Sequence, residues 1–144
     1  MTYQVAMTAD AVTGFLEEVF PEMNRAGRIF TIDAIEPGRA IVRARTDATH
    51  LRPGGTVSGP TLFSLADFAA YVVILGHIGP QALAVTTNLN INFLTKAGPG
   101  ELIARCRILK LGKRLVVTDC DITADGSDDL IAQASATYSI PPAR

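Results

Sequence analysis

Tryptophan is absent from this 144-residue chain, and Phe and Tyr together supply only 6% of it. That scarcity argues against a surface built to stack on bases. Charge of one sign is lacking too. The formal net charge is −1, so the chain has no basic footprint for nucleic acid. Cysteine is limited to Cys106 and Cys120. Two are too few for a disulfide framework, and without a C-x-x-C pair or a Cys/His cluster no metal site is expected. Reduced thiols in a cytoplasmic protein are the plain reading. The N-terminus "MTYQVAMTADAVTGFLEEVFPEM" lacks a basic stretch leading into an apolar core, so no signal peptide is expected. The longest greasy run, Phe68 to Ile78, is interrupted by Gly76 and His77 and is too short to span a bilayer.

No repeat, linker or low-complexity segment is visible. With 48% hydrophobic residues, the chain has the length and apolar content of one domain with a real core, over residues 1–144. Val12, Phe15, Leu16, Val19 and Phe20 recur at helical spacing and predict a helix over about 8–20, capped by Thr8 or Asp10 and ended by Pro21. "RIFTIDAIE" and "RAIVRART" flank Pro37-Gly38 as a hairpin. "DATHLRPGGTV" is rich in turn formers and reads as an irregular loop. A second helix follows over about 58–77, opened by Gly59-Pro60, because proline fits the first turn without losing a needed N–H.

The remainder alternates. Val85, Thr87, Leu89, Ile91 and Phe93 fall on one face of a strand, and Thr86, Asn88, Asn90 and Asn92 on the other. "ELIARCRILKL" and "RLVVTDCDITA" flank a turn at Gly112-Lys113. Arg43, Arg45, Arg105 and Arg107 point outward and are expected to pair with Asp119 and Asp121. "DLIAQASATYSI" aligns Leu130, Ala132, Ala134, Ala136 and Tyr138. A face so rich in alanine must receive something bulky, and the 58–77 helix, apolar nearly all round, is the element to be wrapped. The predicted fold class is α+β: a curved antiparallel sheet of five or six strands around one central helix.

Asp67 is the single charge in the greasy segment "SGPTLFSLADFAAYVV". An ionised carboxylate is not buried cheaply without compensation. It either bonds a neighbouring loop or does chemistry. His50 and His77 have no Ser or Cys nucleophile at motif spacing, so no triad is expected, and His77 at the end of the helix reads as a cation suited to the dipole.

The element order resembles the hotdog fold. At motif level, "GGTVSGPTLFSLADFAAY" followed by "AVTTNLNINFLTKAGPGELIARCRILKLGKRLVVTDCDI" resembles the PaaI-like (phenylacetate-degradation) acyl-CoA thioesterases over Arg28 to Ser139. Leu65-Ala66-Asp67 matches the family's helical L-x-D, and Thr86 to Phe93 matches its strand signature T-x-x-L-N-I-x-F. There are two departures. The family's His-Gly-Gly stands here as Ser58-Gly59-Pro60, and an Asn six residues before that His is Arg52.

The resemblance implies hydrolysis of an acyl-CoA, with Asp67 as general base or nucleophile. It implies Gly59 as the backbone oxyanion donor and Thr86 as the residue that orients water. Ser58 either donates in place of the His or caps the helix. Arg52 either polarises the carbonyl, meets a CoA phosphate or lies on the surface. Lys110, Lys113 and Arg114 are either phosphate contacts or a solvated basic turn. Asn88 is a candidate substrate contact and, with Asn90 and Asn92, faces solvent or a second subunit. Coenzyme A enters as part of the substrate, with no other cofactor, no nucleic acid and no membrane partner. Sites between subunits imply a homodimer or homotetramer. The rival reading is a non-catalytic hotdog protein that binds acyl-CoA or a related ligand. A hydratase built on Asp47 and His50 ranks below both, since "TDATHLRPGG" lacks that group's motif.

Overall fold

A computed structural model describes residues 3–24 and 29–142; Arg28, where the resemblance begins, lies outside them. Helix α1 (Ala9–Val19) opens at Thr8, whose hydroxyl accepts from the Ala11 N–H, and buries Val12 and Leu16. Helix α2 (Gly59–Ile78) opens at Ser58, carries Pro60 in its first turn and stops at Gly79. There φ is +95°, a value a side chain would resist.

The strands are β1 (Phe30–Glu36), β2 (Arg39–Arg45), β3 (Leu51–Arg52), β4 (Thr56–Val57), β5 (Val85–Phe93), β6 (Glu101–Leu111), β7 (Leu115–Ala124) and β8 (Leu130–Ser139). Six form one antiparallel sheet in the order β1-β2-β6-β7-β8-β5. The expected hotdog arrangement is thus present. Pro37-Gly38 makes the β1–β2 turn, with Gly38 at φ +76°. The stretch 48–57 is more ordered than the irregular loop expected. It holds a 3-10 turn at Ala48–His50 and the small β3–β4 pair.

The sheet closes on α2 chiefly through β6, with β2, β7 and β8 beside it. Ala132, Ala134 and Ala136 of β8 are buried and offer almost no side-chain height on the core face. Leu65, Ile74 and Leu75 of α2 are fully buried in the shared core. Truncating one of them to Ala would cost about 2–5 kcal/mol. By length and composition alone α2 could cross a membrane, but it is the core helix, and its apolar window is 67% buried.

The cation expected at His77 is replaced by a neutral ring. Nε2 accepts the Gly38 N–H at 2.8 Å, which leaves the proton on Nδ1, 2.7 Å from the Val73 carbonyl. The arginines also pair otherwise than expected. Arg107 does reach Asp119 at 3.4 Å. Arg105, however, donates to the Thr123 hydroxyl, and Arg43 meets Asp33, Glu101 and Asp125. Arg45 turns to Glu101. Cross-strand register decides this: Arg43 stands opposite Thr31 and Ile103, one step from those carboxylates.

Candidate active site

Strict alternation would turn Thr86 away from the helix, alongside the exposed Asn88. It points inward because β5 carries a bulge. Thr86 pairs with Tyr138 and Asn88 with Thr137, so Thr87 is an extra residue with no partner of its own. The bulge puts Thr86 on the same face as Leu89 and Ile91, opposite β8, where Tyr138 also faces in.

Two hydroxyls thereby converge on the lone carboxylate of α2. Thr86 Oγ1 donates to Asp67 Oδ1 at 2.6 Å. Tyr138 places its hydroxyl 2.8 Å from the same oxygen and 3.0 Å from the Asp67 main-chain carbonyl. Asp67 Oδ2 has no hydrogen-bond partner among the described residues, and no buried side-chain oxygen there is left unpartnered, so Oδ2 reaches solvent. It opens on a cavity of about 360 Å³ lined by Phe20, Asp67, Tyr71, Ala84, Thr86 and Tyr138, among others. Tyr71 stacks on Tyr138 with ring centroids 6.0 Å apart and donates its hydroxyl to the Ala82 carbonyl at 2.8 Å. Burial pushes the Tyr138 phenol well above its ordinary value, and the Tyr71 phenol also rises for the same reason. Both remain O–H donors over the physiological range.

The other expected site residues lie elsewhere. Gly59 begins α2, eight residues before Asp67 and so about 12 Å away along the axis. Its N–H makes no hydrogen bond among the described residues. It lines a separate cavity of about 470 Å³ with Arg52, Leu62, Phe93 and Lys96. Phe93 leans over it: a Cβ on Gly59 would sit 3.2 Å from the ring. Ser58 spends its hydroxyl at home, as the α2 cap, 3.3 Å from the Thr61 N–H and 2.9 Å from the Thr61 hydroxyl. Lys110, Lys113 and Arg114 are exposed around the β6–β7 turn. That turn is at the sheet end that carries Val85 and Tyr138, but lines neither cavity. Asn88 is exposed on β5, one of the sheet's two edge strands. Asp47 and His50 are occupied with each other's backbone in one capping turn, with Asp47 N–H donating to His50 Nδ1 at 2.9 Å.

Tyr138 and Lys96 are the site residues that sequence reasoning missed. Tyr138 sat in phase with the alanines and read as core. Lys96 follows the β5 signature with no motif of its own.

The family model of the thioesterase superfamily matches residues 54–131, which include Gly59, Asp67 and Thr86. The chain belongs to the thioesterase superfamily. A structure from a Silicibacter species, provisionally named a thioesterase, is 42% identical and covers 96% of this chain and 95% of its own, with a TM-score of 0.86. A Saccharolobus solfataricus protein provisionally named an esterase is 30% identical over 108 residues, 75% of this chain and 71% of that one. A phenylacetic acid degradation-related protein from Ralstonia eutropha is 26% identical, with a TM-score of 0.72 over 77% of this chain and 84% of its own. Superfamily membership assigns the chain to the thioester hydrolases broadly, on a hotdog scaffold with PaaI proteins among its structural neighbours.

Proposed function

We propose that the chain is an acyl-CoA thioesterase in which Asp67 is the general base or nucleophile. One observation carries the reading: a carboxylate with Oδ1 held by two hydroxyls and Oδ2 open to an apolar, aromatic-walled cavity. As base, Oδ2 takes a proton from water while the water oxygen attacks the thioester carbonyl carbon. As nucleophile, Oδ2 attacks the carbon itself and water later opens the anhydride. Either way the carbonyl becomes an oxyanion, then the C–S bond breaks and CoA leaves as thiolate to be protonated. Thr86 gives its own proton to Asp67, so its lone pairs are what it can offer a water.

The oxyanion needs an N–H donor, and the chain's own Gly59 opens on a different cavity. The proposal therefore places the partner subunit's Gly59 opposite Asp67. Support comes from β5, an edge strand whose Val85 and Phe93 are each 55% exposed, a surface suited to pairing with a second copy. A homodimer is the smallest assembly with two complete sites, and a homotetramer doubles it. Arg52, Lys110, Lys113 and Arg114 are the cations offered to the CoA phosphates. The buried free thiols of Cys106 and Cys120 suit a reducing cytoplasm.

Free-thiol release over a panel of acyl-CoAs, wild type against Asp67→Asn and Asp67→Ala, tests this. Release that disappears in both variants supports the assignment; release that persists refutes it. The second reading, a binder without turnover, is favoured by Ser58 and Arg52 standing where the PaaI-like pattern has His and Asn. Tight CoA-ester binding with no release by the wild type would select it.

A further inference from the structure

We infer that Tyr138 is a positioning residue for the reaction: its hydroxyl fixes the Asp67 carboxylate so that Oδ2 is the reacting oxygen. The inference rests on Asp67 being the base or nucleophile.

A carboxylate on a helix turns about its last torsion, which is broad and roughly two-fold. Left alone, its two oxygens would exchange places at the cavity. Here they differ. Oδ1 receives two hydroxyls, at 2.6 and 2.8 Å, while Oδ2 receives none among the described residues. Of the two donors, Tyr138 is the one that also grips the backbone of the same residue, 3.0 Å from the Asp67 carbonyl. One O–H shared between the side chain and main chain of Asp67 fixes the carboxylate relative to its own helix turn. Thr86, on the edge strand, sets it relative to the sheet.

Tyr138 can hold this position because its ring is itself fixed. It is 3% exposed, stacked on Tyr71, and on β8 next in phase to Ala136. Phenylalanine would fill the same space and keep the stacking, so removing the oxygen removes little else. Among the residues lining the cavity, the ionisable groups besides Asp67 are the two tyrosines. Among the described residues no cation lines it, so the two hydroxyls are the groups that hold the carboxylate in place.

Tyr138→Phe, measured beside Asp67→Asn as an intact oligomer, tests the inference. The expected result is a fall in kcat of about ten- to a hundredfold, the scale of one hydrogen bond to a charged group. KM should stay within about twofold. A wild-type kcat would overturn it. So would a lower kcat accompanied by a raised KM and a depressed thermal midpoint, which marks packing alone. If Asp67→Asn retains thiol release, the base and its positioning residue fall together. If Asp67→Asn is dead and Tyr138→Phe is wild type, the role of Asp67 stands and only that of Tyr138 fails.

Discussion

His77 Nε2 and the Gly38 N–H, 39 residues apart in sequence, meet at 2.8 Å and join the end of the central helix to the first hairpin turn. The bond is buried, so a residue without an acceptor strands an N–H. His77→Leu should cost about 1–3 kcal/mol in urea unfolding. Turnover by the folded fraction should be unchanged, because the ring is remote from Asp67. An unaltered unfolding midpoint would show that the bond contributes nothing.

Gly59 offers a test that separates its N–H from its size. Ser58 before it sits at φ −72° and ψ 153°, the conformation a following proline requires. Gly59→Pro should therefore fold, replacing the N–H by a ring whose Cβ meets Phe93 as an alanine's would, with kcat falling about 10²–10³-fold if the N–H binds the oxyanion. Gly59→Ala keeps the N–H and asks only that the exposed Phe93 ring give way slightly. It should retain most of the activity. Equal activity in the two variants would remove Gly59 from the reaction.

Alkaline stability follows from Tyr138. Burial holds its phenol above the ordinary value of 10.0, so the folded chain keeps a proton that the unfolded chain surrenders. The contribution of this phenol should be level below about pH 10, where both states are protonated, and should be lost as pH rises toward the folded-state value. Urea unfolding from about pH 9 to 11 should show a shallower fall in Tyr138→Phe. The residual slope includes Tyr71 and the Cys120 thiol, held up by Cys106 and by burial, both shifted the same way.

The basic turn can be tested through salt. Lys113→Ala combined with Arg114→Ala should raise KM for acyl-CoA severalfold, less at high ionic strength, with kcat held. A thioester of the short N-acetylcysteamine thiol carries no phosphates, and its KM should not respond. Matching effects on both substrates would make the turn a solvated surface.

Much of this fold was legible in the residues. A twenty-residue helix with one charge announces both its burial and the oddity of Asp67. Ala132, Ala134 and Ala136 announce the strand that faces it. Less legible was whatever depends on the backbone departing from its period. Alternation sends Thr86 outward, and only pairing with β8 shows it turned in. Tyr138 kept its period perfectly and so read as core, although its oxygen ends against Asp67. His77 looked like a terminal cation because its acceptor role depends on Gly38, a contact of high sequence separation. Gly59 and Asp67 share one motif and yet open on different cavities, since eight helical residues carry them apart.

The unpaired Thr87 works as a parity switch. Excising it would leave perfect two-by-two pairing along the edge of the sheet with Thr86 still opposite Tyr138 and turned inward, so Asp67 would keep both hydroxyls. A tidier strand would preserve the pair of hydroxyls, and what the extra residue supplies is the added bend and twist of that edge.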